Sequence, residues 1–453
     1  LSNPQLNESE TGKKSNAWLA PFGTIWAGQA FSLLGSNLVQ FALVWWLTQE
    51  SGSATVLATA SLVAFLPEVL LSPFAGALVD RWNRRWVMII ADGGIALATL
   101  ALIALFWTDV VQFWHIYVIL MIRSSGGIFH WAAMQASTSL MVPEQHLSRV
   151  NGLNASLNGG LRIIAPPLGA ILIKALPMHF VLSVDVVTAL LAIGSLVIVA
   201  IPQPQRASQS EASFKGVWQD MLEGARYAWA WTGLVLIMGF AALLNFFLTP
   251  THTFLPLLVT EFFKGDVWQL SYLEVALGIG VVLGGLLLTA WGGFKRRIVT
   301  ALAAISFMSV GLLLLAVAPP NAYWMAVAGL AIMGFFNPIA NGPIFAILQS
   351  KVSPEMQGRV FTLLSAVASA MVPLSMVVSG PLVEWLGIKT WYWVAGGTCL
   401  VLSLAAFLVV PLINIEQQQD PTSKDEAASK DAAHSKEAAP SSDTPQTMPV
   451  SAD

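Results

Sequence analysis

The chain has 453 residues, 56% of them hydrophobic, 10% charged, with a formal net charge of −3. A soluble protein carries roughly 25% charged residues, so a water-soluble enzyme is excluded, and the near-neutral balance gives no reason to expect a nucleic-acid partner. Cys399 is the sole cysteine, which rules out an intrachain disulfide.

Each membrane span needs about 20 apolar residues, and hydropathy with turn signals predicts twelve of them. In chain order they run near 18–48, 54–77, 86–107, 114–141, 150–175 and 179–200, then 232–260, 270–291, 298–318, 322–349, 360–383 and 389–413. The expected fold class is all-α: a polytopic membrane protein of two six-helix bundles, 18–200 and 232–413, related by pseudo-two-fold symmetry. Residues 1–17 read as a disordered cytoplasmic N-terminus. The connection 201–231 opens on a Pro- and Ser-rich stretch and continues, from Phe214 to Trp231, as an amphipathic helix suited to the membrane surface. Residues 414–453 repeat Ser-Lys-Asp/Glu-Ala-Ala and bury too little apolar surface to order, so they read as a disordered cytoplasmic tail.

With the tail and two intramembrane arginines set aside, Lys and Arg divide 14 to 3 between alternate sets of loops, the majority lying on the side of both termini. That bias places both termini in the cytoplasm of a bacterial-type inner membrane. The halves also repeat. Arg84-Arg85 recurs as Arg296-Arg297 after 212 residues, Pro143-Glu144 as Pro354-Glu355 after 211, and Arg149-Val150 as Arg359-Val360 after 210; Asn37 is matched by Asn245. Internal duplication of this kind is common in secondary transporters.

Arg123 and Arg162 lie inside predicted spans, where an ionised guanidinium survives mainly by facing a protein interior or an aqueous cavity. His130 follows Arg123 by two helical turns, and Trp131 beside it is a candidate for stacking on a ligand. Asn151, Asn154, Asn158 and Arg162 form one stripe on the fifth helix, and Gln29, Ser32, Ser36 and Gln40 another on the first, near Asn37. Such stripes face either a substrate cavity or a neighbouring helix. Glu68 is the best-placed carboxylate, about 12 Å into the membrane from Gly76; it either exchanges a proton or holds a constant ion pair with an arginine. Asp185 and Glu274, near the opposite face, suggest an external gate. Trp45, Trp46, Trp107, Trp114, Trp391 and Trp393 fall near predicted helix ends, where tryptophan anchors spans to the interface.

The loop Gly76-Ala77-Leu78-Val79-Asp80-Arg81-Trp82-Asn83-Arg84-Arg85 resembles the signature loop of the major facilitator superfamily. Arg123 with Gly127 resembles that family's fourth-helix motif, and Ala165-Pro166-Pro167-Leu168-Gly169-Ala170 a weakened form of its antiporter motif. Stretches such as Ile25-Trp26-Ala27-Gly28-Gln29-Ala30 and Gly358-Arg359-Val360-Phe361 are similar to the macrolide-efflux type of that family. The resemblance implies alternating-access export of amphipathic, macrolide-like drugs in exchange for protons; a lysolipid or siderophore carrier and a transporter-like sensor are the alternatives. It also implies a conformational latch of Gly76, Asp80, Arg81, Arg84, Arg85 and Asp92. Glu68, Arg123, His130 and Arg162 are then expected in proton coupling, and Gln29, Asn37, Gln40, Trp131, Asn154, Asn158 and Asn245 in the substrate cavity. The expected partners are the substrate, protons and the lipid bilayer, with the chain acting as a monomer. No phosphate-binding loop, nucleophile elbow or metal-ligand spacing occurs, so neither a cofactor nor a metal nor enzymatic chemistry is expected.

Overall fold

A computed structural model describes residues 18–203 and 214–418. The predicted tails and the Ser-rich part of the connection lie outside these. The first half comprises α1 (Leu19–Ser51), α2 (Ala54–Val79), α3 (Arg84–Trp107), α4 (Phe113–Met141), α5 (Glu144–Ala175) and α6 (Met178–Ile198). A linker helix (Phe214–Ala230) follows. The second half comprises α7 (Thr232–Thr253), α8 (Val267–Trp291), α9 (Arg297–Val317), α10 (Tyr323–Lys351), α11 (Pro354–Leu386) and α12 (Ile388–Ala406). Eleven of these twelve are long and apolar enough to cross a membrane. The exception, α12, is 19 residues long, and a short helix at Val410–Ile413 follows it.

Local chemistry sets the ends. Ser53 caps α2 by accepting from the Val56 N–H at 3.3 Å. Asn83 caps α3 through the N–H groups of Arg85 and Trp86, satisfying donors that the first turn leaves free. In each half, Pro143 and Pro354 mark a start six residues earlier than hydropathy predicts for α5 and α11, because the polar first turns carry little apolar signal. Helix seven stops at Thr253 instead of 260. Pro250 and Pro256 each remove a backbone donor, and the chain continues through Leu255–Leu257 into a π-turn at Leu258–Phe262.

The packing repeats as the sequence does. In the first half α1 lies on α5 and α6, α2 on α4, and α3 on α4 and α6. The same pairs recur six helices later, as α7 on α11 and α12, α8 on α10, and α9 on α10 and α12. Between the halves, α5 meets α8 and α2 meets α11, which is again one pair and its symmetry mate. Close approach depends on glycine where α8 crosses α10. A Cβ on Gly284 would stand 1.8 Å from the Phe335 carbonyl oxygen, and one on Gly334 would stand 2.2 Å from that of Leu277. Small residues let backbones touch where lipid supplies no hydrophobic drive.

The bonds joining the two halves gather at the end away from the start of α1, here called the far end. Lys174 on α5 pairs with Asp266, the N-cap of α8, at 3.0 Å. Glu384 on α11 accepts from the Ser53 hydroxyl at 2.9 Å and the Thr55 N–H at 3.1 Å on the α2 side. Burial acts to raise the Asp266 carboxyl. The hydrogen bond from Lys174, the Trp268 N–H and the Lys174 charge outweigh it and hold the group below the ordinary carboxylate range. Toward the other end α2 and α11 part around a 380 Å³ gap lined by Glu68, Ser72, Phe361 and Ser365.

Apolar side chains such as Ile90, Leu97, Leu190, Leu286 and Val401 point outward, as lipid contact requires. The tryptophans divide. Trp107, Trp114 and Trp393 are at least half exposed near helix ends, Trp46 packs edge-on against Phe106, but Trp45 and Trp391 are buried core residues. Trp391 donates to the Phe247 carbonyl, so it ties α12 to α7 and does not anchor the interface. The end of the helix in the connection is docked: Tyr227, Ala228 and Trp231 are buried against Leu234 and Ile298, and Glu223 pairs with Arg359 at 3.0 Å.

Candidate functional site

The space between the bundles has three contiguous lobes that share the ring of Phe65. The widest, 610 Å³, is walled mainly by the second half: Phe240, Leu244, Leu248, Met308, Met333 and Leu364. Its polar groups include Asn245 and His252 on α7, Glu274 on α8, Asn337 and Asn341 on α10, Ser365 on α11, and Arg162 reaching across from α5. A second lobe of 410 Å³ lies within the first half, and a third of 320 Å³ joins the two through Asn37, Gln40, Arg162, His252 and Glu274.

The two intramembrane arginines have different surroundings. Arg123, whose side chain is 9% exposed, is ion-paired to Asp185 on α6, while its Nη1 also donates to the Thr99 hydroxyl at 2.9 Å. Asp185 is 1% exposed. It accepts further bonds from Thr99 at 2.9 Å and from Ser36 at 2.8 Å. Four helices thus converge on one carboxylate. Asp185 is therefore not part of an external gate: α6 presents it to the inside of the bundle. Arg162 makes no hydrogen bond or ion pair among the described residues and stands exposed to the cavity.

A second cluster borders the first-half lobe. Gln29 donates to Asp92 at 3.3 Å, and His130 Nε2 lies 3.6 Å from the other Asp92 oxygen. Asp92 therefore belongs with Gln29 and His130 and not with the loop, because α3 turns it inward toward α1 and α4. Glu68, Asn37, Gln40 and Trp131 line the same lobe, and Trp131 is 53% exposed. Glu68 forms no ion pair among the described residues, so the constant-pair alternative has no partner in this conformation. Asn245 lines the widest lobe. Asn154 does not line these lobes, since its oxygen accepts from the Trp26 indole at 2.8 Å and joins α1 to α5. Asn158 donates to the Asn154 carbonyl at 2.9 Å and lines none of the three lobes either.

In the signature loop, Asp80, Arg84 and Arg85 are bonded within the first half. Asp80 pairs with Arg84 at 3.0 Å. Arg84 donates to the Ala136 carbonyl on α4 at 2.7 Å, and Arg85 to the Leu196 carbonyl on α6 at 2.6 Å. Arg81 is exposed. Among the described residues, a Cβ on Gly76 would meet nothing within 4 Å in this conformation. The second half repeats the arrangement, with Arg297 donating to the Ala346 carbonyl at 3.3 Å.

Among the polar side chains of the second-half wall, the sequence reading singled out Asn245 for the cavity and Glu274 only for an external gate. Asn337 and Asn341, one turn apart beside Pro338 in an otherwise apolar helix, were a usable signal. His252 was less visible, lying where the helix breaks.

The family model for the Major Facilitator Superfamily matches residues 25–371 and 251–442. The chain is 33% identical over 403 residues to Macrolide efflux protein A of Streptococcus pyogenes, covering 89% of this chain and 98% of that one. It is 25% identical over 403 residues to the multidrug efflux pump Tap of Mycolicibacterium fortuitum, covering 85% and 95%. Among solved structures it is similar to a bacterial homologue of the iron transporter ferroportin in an inward-facing state, with TM-score 0.66, 15% identity and coverage of 88% and 99%. A mutant of the nucleoside transporter NupG is also similar, with TM-score 0.62, 14% identity and coverage of 83% and 98%.

Proposed function

The chain belongs to the major facilitator superfamily as a permease of the macrolide-efflux type, and on that premise we propose that it exports bulky amphipathic compounds of the macrolide class in exchange for protons. It does so by alternating access, as a monomer in a bacterial inner membrane with both termini cytoplasmic. The observation that carries this reading is Arg162, without an ion pair among the described residues, in a 610 Å³ cavity between bundles joined at the far end by Lys174–Asp266 and Glu384–Ser53. Drug-sized ligands occupy sites of roughly 300–1,000 Å³ lined by apolar walls with a few placed polar groups. Rocking of the bundles about such a site would expose it to each side in turn.

In this reading Glu68 carries the proton. It faces the first-half lobe beside His130 and also the gap between α2 and α11, so it meets water when that gap is open. Closing the gap would strip that water, and a carboxylate losing solvent takes up a proton more readily. Arg123, His130 and Arg162 set the field that Glu68 feels. Asn37, Gln40, Trp131 and Asn245 contact the substrate, and the Asp80–Arg84–Arg85 loop holds the ends of α4 and α6 together while the bundles move.

Flux in proteoliposomes with an imposed pH gradient tests the proposal. Macrolide movement should accelerate with the gradient and be accompanied by proton counterflow, and Glu68→Gln should remove that acceleration. Macrolide flux indifferent to the gradient, or lysolipid flux in its place, would overturn it.

A further inference from the structure

The widest lobe contains two opposite charges that do not touch. Glu274 on α8 and Arg162 on α5 line the same two lobes and feel each other's charge, yet they form no ion pair, and neither makes a hydrogen bond among the described residues. His252 is the further titratable group on that wall. Unpaired charges away from bulk water are costly. Contact between the two side chains would relieve both, so the space kept between them is the informative feature. Phe65, Phe240, Leu244, Leu248, Met308 and Met333 surround this gap with apolar and aromatic surface.

We infer that Glu274 and Arg162 are the two poles of a binding site for an amphiphile carrying one protonated amine: Glu274 takes the ammonium, and Arg162 donates to an oxygen acceptor on the ligand's opposite side. The inference deepens the export reading and rests on it. Glu274 belongs to the second half and Arg162 to the first, so a ligand spanning the gap couples the bundles through its own length. A neutral ligand of equal bulk fills the apolar wall but leaves the carboxylate without a counter-ion. Specificity then comes from the charge and affinity from the wall.

The test is equilibrium binding to the purified full chain in nanodiscs, using two macrolides that differ only in whether their single amine is free or acylated, and tetraphenylphosphonium as an unrelated lipophilic cation. Glu274→Gln should weaken binding of the free amine by roughly 10- to 100-fold, the worth of one charge-assisted hydrogen bond, and leave the acylated compound within about twofold. Glu274→Asp should retain discrimination between the two, showing that charge and not folding is read. Wild-type binding of the cation alone, lost in Glu274→Gln, would keep the site and remove the macrolide reading. Equal effects of Glu274→Gln on both macrolides would remove the site and leave export untouched. Binding of none of the three probes to the wild type would overturn the inference.

Discussion

Asp185→Ala should destabilise the first bundle by about 3–5 kcal/mol, the usual consequence of stranding one member of a buried ion pair. The carboxylate receives Arg123, Thr99 and Ser36 from three helices, and its removal leaves a guanidinium that is itself buried without a counter-charge. Arg123→Ala should cost less, because two hydroxyls still donate to Asp185. The double variant should recover much of the loss, since replacing both partners of a buried pair is often nearly neutral. Thermal unfolding of the two single variants and the double variant measures the coupling. Strictly additive effects would show that the pair does not hold the bundle together.

Joining position 58 on α2 to position 380 on α11 should stop transport. Between Ala58 and a Cβ built on Gly380 the separation is 2.8 Å, against roughly 3.5–4.5 Å in a disulfide. A small parting of the helices therefore admits the bond. In a Cys399→Ser background, Ala58→Cys with Gly380→Cys should oxidise readily, lose macrolide flux to background and regain it on reduction. The same pair left reduced should transport. Undiminished flux through the cross-linked protein would mean that α2 and α11 need not separate at the far end, which alternating access forbids.

The fold was legible because each level of the sequence gave the same answer. Apolar runs set the helices, and offsets near 210 residues announced the duplication that the helix pairs then repeat. The site was legible in part. Arg123 and Arg162 were visible as charges in apolar runs, but their different fates were not. At 1.5 Å per residue, Arg123 and Asp185 lie about 15 Å and 10 Å from the far ends of their helices, so depth alone allowed the pair. Recognising it required knowing that α6 packs against α1 and α3. Asp92 was drawn toward the loop by nearness in the chain, whereas its rotation about α3 decides its partners. Asn154 illustrates the opposite error. A polar stripe has two ways to satisfy its amides, and the Trp26 indole supplied the interhelical one. Helix seven ran long because hydropathy does not register that Pro250 and Pro256 lack donors.

The account turns on whether one cavity faces the two sides of the membrane at different times. Ser365, which lines both the widest lobe and the gap between α2 and α11, is the position to ask. With Ser365→Cys as the only thiol, a membrane-impermeant maleimide should react in resting vesicles solely from the face that carries the chain termini. During macrolide export driven by a pH gradient, it should react from the opposite face as well. Labelling confined to one face throughout active export would contradict the account.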